Sequence, residues 1–457
     1  MFDIEVIETS SLGDRSYLLT DGTVAAVIDP QRDIDRILDA AENKSVRITH
    51  VLETHIHNDY VTGGLELSRT LGADYVIAAG DDVAFDRTPI SDGDIVTVGR
   101  MRLQALHTPG HTHHHLSFAL FAEVGDIQAV FTGGSMLYGA TGRTDLVSPR
   151  DTDALTHAQY RSVRRLAAEL SDGVEVLPTH GFGSFCSATP TTGDKSTIGE
   201  QRHVNPALTQ PEQDFVDELV AGLGAYPAYY AHMMPINSTG PDPIDLSMPE
   251  PVDAGEIRRR IDSGEWVVDL RSRTAFAAGH LSGSLSFELS DNFVTYLGWL
   301  RPWDAPLTLI GTEQDVLAAR RELARIGIDR LLGAGVGDPV IAAPASEIRS
   351  YPVTDFAGLA RAQNHGRVHV LDTRRDDERV RASIPGSQHI PIHELPDRRE
   401  EVPRAEVWVH CGSGYRAAIA ASLLDDGTRS IVHIDDDFDH AMRLGLTASS
   451  DDATATS

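Results

Sequence analysis

Lysine is almost absent from this chain of 457 residues: Lys44 and Lys195 are the only two, and arginine supplies nearly all of its 39 basic side chains. Against 68 Asp and Glu residues that leaves a formal net charge of −29. Nucleic acid and anionic membrane are thereby excluded as partners, because both are bound through clustered cations. The arginine bias is what a GC-rich genome or adaptation to salt produces, and it carries no chemistry. Cysteine is as scarce. Cys186 and Cys411 stand alone, so a disulfide framework is excluded, and a single bridge is not expected in a reducing cytoplasm. Long apolar runs are missing too: no stretch comes near the roughly 18 residues of a membrane span. The start, Met1-Phe2-Asp3-Ile4-Glu5, is acidic where a signal peptide is basic. These absences predict a cytoplasmic protein without a membrane partner.

What is present is ordinary globular composition, 41% hydrophobic and 23% charged, in a chain long enough for about three domains. Val24 to Ile28 reads as a buried strand closed by Asp29-Pro30. A helix through Ile34, Ile37, Leu38 and Ala41 follows, and then a strand from Ile48 to Leu52. That order is expected of a layered α/β domain with its site at strand ends. Thr209-Gln210-Pro211-Glu212 resembles a capping box opening a helix with Phe215, Val216 and Leu219 on one face. The proline-rich stretch around 236–251 reads as a linker, and the tail 448–457, poor in large apolar residues, reads as disordered.

Between linker and tail lies an internal repeat. Val267-Val268-Asp269-Leu270-Arg271 matches Val370-Leu371-Asp372-Thr373-Arg374, Gly283-Ser284 matches Gly386-Ser387, and the strand Leu307 to Ile310 matches Val407 to His410. Three matches in one order predict two homologous α/β domains, at 252–340 and 350–447.

Two constellations carry chemistry. The first is Thr54-His55-Ile56-His57-Asn58-Asp59-Tyr60, directly after a predicted strand. His-x-His on an extended segment puts two imidazoles on one side, where both reach one ion, and Asp59 adds a hard oxygen ligand. Thr108-Pro109-Gly110-His111 and Pro178-Thr179-His180 each place a further histidine at a strand end. One isolated histidine is usually a surface or satisfied core residue; three strand-end sites in one domain point to a metal. Tyr60 reads equally as a ligand-binding hydroxyl or as packing, and Cys186 reads as core.

The second is Cys411-Gly412-Ser413-Gly414-Tyr415-Arg416, turning from the predicted strand Val407–His410 into a helix. A sulfur at such a turn sits among unpaired N–H groups at the positive end of the helix dipole, surroundings that stabilise an anion. The glycines let the loop curl around it, and Arg416 is placed to pair with an anionic substrate such as thiosulfate or sulfite.

His-x-His-x-Asp, Gly-His and a late Thr-His, in this order, resemble the metallo-β-lactamase superfamily over most of 1–235. Gly142-Arg143-Thr144-Asp145 resembles its persulfide dioxygenase branch, whose nearest relatives are the glyoxalase II thioesterases. The resemblance implies an αββα sandwich with the metal at one edge. It puts His55 and His111 where the dioxygenases bind a single iron, and His57, Asp59 and His180 on superfamily metal positions. Arg143, Asp145 and Tyr60 are then expected on the substrate. Two departures matter: Thr132-Gly133-Gly134 stands where these branches have Thr-Gly-Asp, and Tyr60 stands where they have a second histidine. Three outcomes stay open. His55, His57 and His111 can form a three-histidine site with a water, as zinc prefers. His113, His114 or His115 can replace the missing carboxylate at a histidine-rich iron. Or the ion binds weakly and the domain is a scaffold.

The Cys411 loop, with Leu371-Asp372-Thr373-Arg374 and Ile384-Pro385-Gly386-Ser387, resembles the rhodanese sulfurtransferases over about 350–447. This implies that Cys411 accepts sulfane sulfur as a persulfide, with Gly412, Ser413, Gly414 and Tyr415 around the substrate and Arg416 beside it. In the first copy, about 252–335, Gly311 stands in place of Cys411 and is followed by Thr312 and Glu313, so that copy reads as structural or docking. The whole predicts an α/β multidomain protein: a metal domain that oxidises a low-molecular-weight persulfide to sulfite, joined to sulfur transfer through Cys411. One Fe(II) is the expected cofactor, with Zn(II) as the alternative. The partners are a small persulfide or thiosulfate and a thiol acceptor, and a homo-oligomer is compatible with the chain. The rival functions are a zinc hydrolase of glyoxalase II type fused to a sulfurtransferase, and a non-catalytic metal domain acting as scaffold or sulfur sensor.

Overall fold

The computed structural model describes residues 2–122, 125–189, 191, 193–338 and 343–449. The chain divides into two units, one running through Asp245 and including Arg321–Asp329, the other comprising Leu246–Arg320 and the residues from Arg330 on.

The first unit is built on strand alternation. In the strand Asp14–Thr20, Tyr17 and Leu19 point to one side and Leu18 to the other; in Val24–Ile28, Ala26 and Ile28 oppose Ala25 and Val27. These strands belong to a six-stranded sheet that also holds Asp3–Thr9, Arg47–Leu52, Asp74–Ala78 and Thr88–Ile90. A five-stranded sheet, in the order Glu175–Pro178, Ile127–Gly133, Leu116–Phe121, Met101–His107, Ile95–Val98, packs its Leu103, Phe118 and Phe131 against Tyr17, Ile28 and Val76 of the first. The outer face of the first sheet buries Ile37 and Ala41 of the helix Asp35–Asn43 and Leu67 of Gly64–Leu71. The outer face of the second buries Val163 and Leu166 of Thr152–Glu169 and Phe215 of Glu212–Gly222. The result is a helix–sheet–sheet–helix sandwich. Loops from both sheets converge at one edge: Asp29, Thr54, His111 and Thr179 all lie within a few residues of the C-terminal ends of their strands.

Two local expectations are corrected. The helix Glu212–Gly222 starts without a side-chain cap, because Thr209 is the last residue of the preceding helix Pro206–Thr209. The capping box lies instead at Thr197 and Glu200, opening Ile198–Val204. The stretch read as linker from 236 begins inside the helix Tyr230–Thr239, which tolerates Pro235 at the loss of one backbone hydrogen bond. Chain without helix or strand follows from 240 to a parallel bridge between Pro251 and Ala334.

The second unit repeats one plan. Parallel strands run in the order Leu285–Ser286, Trp266–Asp269, Leu307–Gly311, Leu331–Val336, and again as Gln388–His389, His369–Asp372, Glu406–His410, Ser430–Ile434, with Val353–Thr354 added at the edge. The mirrored detail reaches side chains. Asp253 caps the helix Ala254–Asp262 as Asp355 caps Phe356–His365. Arg271 donates Nη2 to Asp269 Oδ2 at 2.7 Å and to the Gly279 carbonyl at 2.9 Å. Arg374 does the same to Asp372 at 2.7 Å and to Ala382 at 2.8 Å. The tail read as disordered starts as the strand Ala448–Ser449, paired with Ala382–Ser383; 450–457 lie outside the described residues. No helix among the described residues is long and apolar enough to cross a membrane.

Phe131 is fully buried between the two sheets, with its ring edge-on to Tyr17 at 5.2 Å. Phe131→Ala is expected to destabilise the first unit by about 3–5 kcal/mol, read as a lowered denaturation midpoint with an unchanged denaturant slope.

Candidate metal centre and cysteine loop

At the convergent edge, His55, His57, His111 and His180 are all buried, and His55 and His180 each make ring contact with the other three, the centroids of His55 and His111 being 4.8 Å apart. Each imidazole is oriented by one nitrogen. His111 donates Nδ1–H to the Arg143 carbonyl at 2.8 Å, which leaves Nε2 buried and without a hydrogen-bond partner among the described residues. Nδ1 of His55 meets the Thr54 hydroxyl at 2.8 Å and Nδ1 of His180 meets Asp14 at 2.9 Å, so their Nε2 atoms face each other at 3.4 Å. Two nitrogens each about 2.1 Å from one ion in a tetrahedral shell are separated by about that much. His57 turns Nε2 onto Asp29 and Glu53, both at 3.3 Å, and leaves Nδ1 unpartnered. Orphaned imidazole nitrogens with their opposite nitrogens fixed by carbonyls and carboxylates are the pattern of a metal site's outer support. The donor set thus fits a metal ion. His55, His57 and His180 each offer one ligand atom within 4.8 Å of one another, as do Asp14, Asp59 and His180.

The electrostatics agree at two of the four imidazoles; at His180 burial opposes charge, but Asp59 and Asp14 outweigh it and push the ring well above the usual histidine range. Burial, reinforced by the neighbouring imidazoles, holds His55 well below the usual histidine range, and burial takes His111 down to about 3. Both are neutral, as ligands must be. Burial also opposes charge on His57, but Asp29 and Glu53 outweigh it and push it up to about 9. Asp29, despite burial, is held below the carboxylate range by the His57 charge and by hydrogen bonds from His57, Thr179 and Thr54. Asp14 is pushed up by burial and by Asp59, because the two carboxylates share one imidazole N–H, with Asp59 3.1 Å from His180 Nδ1.

The histidines considered as a replacement carboxylate are engaged elsewhere. His115 accepts from the Gly134 N–H at 3.0 Å and meets Thr108 at 2.9 Å, so both its nitrogens are taken. His113 is exposed and faces Asp151, and His114 is exposed against Gly80. Gly134 leaves no room for an aspartate: a Cβ there would lie 2.2 Å from His111 Cδ2. Tyr60 stacks on His57 with centroids 4.3 Å apart and its hydroxyl 3.0 Å from Nε2. Arg143 and Asp145, expected on the substrate, face each other at 2.7 and 2.8 Å, and Arg143 also donates to the Gly224 carbonyl at 2.8 Å. Sequence reasoning missed Asp14, Asp29 and Glu53 as partners of the histidines. The signal available was positional, since Asp29 and Glu53 also lie at strand ends. Cys186, read as core, is fully buried, and its sulfur also lies within 4.8 Å of ligand atoms of His111 and His180.

In the second unit, Cys411 directly follows the strand Glu406–His410 and is 1% exposed, with the Gly414 N–H donating to Sγ at 3.1 Å. Gly414, at φ +92°, is required here: a Cβ would fall 2.1 Å from Asp435 Oδ1. Gly412 accepts from the Phe438 N–H at 2.9 Å and Ser413 is exposed. Arg416 forms a two-pronged pair with Glu378, 2.7 Å from Nη2 to Oε1, so an incoming anion must compete with that carboxylate. Tyr415 donates to the Glu288 carbonyl at 3.2 Å, and Tyr296 packs against its ring at 5.9 Å.

Asp29→Ala is expected to lower metal affinity about 10- to 100-fold, since His57 loses its tether. It should also destabilise the first unit by about 3–5 kcal/mol, because buried charge and two threonine hydroxyls lose their partner. Metal titration and thermal unfolding of the same preparation check both.

The model of the metallo-beta-lactamase superfamily matches residues 14–180, and that of the rhodanese-like domain matches residues 356–440. The human mitochondrial persulfide dioxygenase ETHE1 is 30% identical over 205 residues, covering 44% of this chain and 74% of that protein. The cytoplasmic hydroxyacylglutathione hydrolase of Arabidopsis thaliana is 35% identical over 133 residues, covering 28% of this chain and 51% of that protein. The crystal structure of a metallo-beta-lactamase from Staphylococcus aureus subsp. aureus COL superposes with a TM-score of 0.66 at 27% identity, covering 74% of this chain and 99% of that one. The chain therefore belongs to the metallo-beta-lactamase superfamily, in the branch of the persulfide dioxygenases and hydroxyacylglutathione hydrolases, with a rhodanese-like domain fused to it.

Proposed function

We propose that the first unit oxidises a low-molecular-weight persulfide to sulfite and that the second carries sulfane sulfur on Cys411. The observation that carries the reading is the convergence of unpartnered or mutually facing ring nitrogens from His55, His111 and His180, in a chain similar to a persulfide dioxygenase. The reaction balances as R–S–SH + O2 + H2O giving R–SH + H2SO3: the sulfane sulfur gives up four electrons and O2 accepts them. His55, His111 and His180 would hold an Fe(II), which would supply the redox chemistry toward O2. The residues of the chain prepare the site. The Arg143 carbonyl, Thr54 and Asp14 fix the imidazole orientations, and burial of all four histidines excludes bulk water. In the second unit, transfer of the outer sulfur from a Cys411 persulfide to sulfite releases thiosulfate and regenerates the thiolate, and the Gly414 N–H steadies the sulfur. We also infer that the sheet containing Trp266–Asp269 and Leu307–Gly311 is a second rhodanese-like fold. Its strand order and its Asp269–Arg271 pair support this, and Gly311 leaves it without a nucleophile.

One observation favours a hydrolase instead. Gly134 removes the carboxylate of a two-histidine, one-carboxylate iron face, and a histidine-rich shell with an open position suits zinc and its bound water. The similarity to the Arabidopsis hydroxyacylglutathione hydrolase supports thioester cleavage in that case.

Protein purified without added metal is expected to hold about one iron per chain and, with glutathione persulfide, to consume O2 and release sulfite in equal amounts. Zinc, no O2 uptake and cleavage of a glutathione thioester would establish the hydrolase reading. Cys411→Ala is expected to abolish sulfur transfer from thiosulfate to cyanide. Transfer that survives would place the nucleophile elsewhere.

A further inference from the structure

With only two cysteines in the chain and one of them in the rhodanese-like loop, the position of the other is informative. Cys186 is fully buried, and its Sγ and ring nitrogens of His111 and His180 all lie within 4.8 Å of one another. The independent sign that this space takes a ligand is His111 Nε2, buried and unpartnered in the same cluster.

Sulfur and imidazole are held by one short segment. Arg143 accepts His111 Nδ1–H on its carbonyl at 2.8 Å, and its own N–H donates to the Cys186 carbonyl, also at 2.8 Å. Its guanidinium reaches the Phe185 carbonyl at 3.3 Å, and Gly142 bridges to Ser187. The loop carrying Cys186 is thus anchored on the same residue that sets the His111 tautomer. At this edge the chain also lacks the carboxylate that position 134 would supply, and a Cβ at Gly134 would collide with His111. The carboxylate that remains beside Cys186 is Asp59, which is engaged with His180 Nδ1 at 3.1 Å.

We propose that Cys186 is a metal ligand, its thiolate replacing the anionic donor absent at Gly134 and completing a nitrogen–sulfur shell with His111 and His180. This rests on the reading of the histidine cluster as a metal centre and adds to it the donor type. A thiolate in the shell shifts the site's preference toward softer ions than a two-histidine, one-carboxylate face selects. It also accounts for a polar sulfur placed among histidines and aspartates rather than in either apolar core.

The test is X-ray absorption at the metal edge on the full-length Cys411→Ala chain loaded with Zn(II) or Co(II), in which Cys186 is the one remaining cysteine. The expected result is one sulfur scatterer at about 2.3 Å beside nitrogens at about 2.0–2.1 Å, with a thiolate-to-Co(II) charge-transfer band in the near ultraviolet. Cys186→Ser, added to the same chain, should remove both signals and weaken binding at least about tenfold. A bound ion with nitrogen and oxygen neighbours only would overturn the Cys186 assignment and leave the metal centre standing. A chain that binds no ion would overturn both. The shell of the Cys411→Ala protein decides the matter even where Cys186→Ser does not fold.

Discussion

The candidate metal centre hangs on one carboxylate. Asp29 closes the strand Val24–Ile28 in a left-handed conformation, φ +49°, which aspartate tolerates better than most side chains. From there it accepts the Thr54 N–H and hydroxyl, both at 2.7 Å, together with the Thr179 hydroxyl, and lies 3.3 Å from His57 Nε2. Three strand ends from two sheets are tied through one buried group, and the residues that follow those ends include His55, His57 and His180. An unpaired carboxylate at full burial would be costly, so the threonines and the imidazole are conditions for Asp29 to exist where it does. The strain and the burial are compensated locally by the residues that the site needs.

The same reasoning explains how Gly134 and Tyr60 fit at the site without leaving a hole. Gly134 lacks a carboxylate, but its missing Cβ is what lets the His111 ring stand against the backbone, and its N–H is taken by His115. Tyr60 places a hydroxyl against His57 Nε2, the nitrogen turned away from the ring cluster. Asp14, Asp29, Glu53 and Asp59 surround the histidines, so a cation at the centre meets compensating charge even with ligand positions altered. In the second unit, Asp372 with Arg374 and Glu378 with Arg416 use paired charges to shape the Cys411 loop in the same way.

Much of this was legible in the chain because it is local. The unbroken apolar run Val24–Ile28, buried on both faces, the His55-x-His57 alternation and the Cys411-to-Arg416 turn each depend on neighbours within a few residues. Asp269–Arg271 and Asp372–Arg374 were legible as a matching pair because each is two residues apart, and each makes the same bond in space. The helix start misplaced at Thr209 and the linker drawn from 236 erred by a few residues, where competing local signals are weakest. What sequence could not give was pairing across distance. Asp14 meets His180 from 166 residues away and Asn237 holds the His57 carbonyl from 180. Cys186, six positions after His180, looked like filler because nothing in a linear pattern places His111 beside it.

The most direct test of the central claim, that the first unit gathers His55, His111 and His180 around one ion, is anomalous diffraction at the iron edge from crystals of the Fe(II)-loaded protein. The account predicts one peak, bounded by those three imidazoles. No peak, or a peak between Asp29, Glu53 and His57 instead, would contradict it.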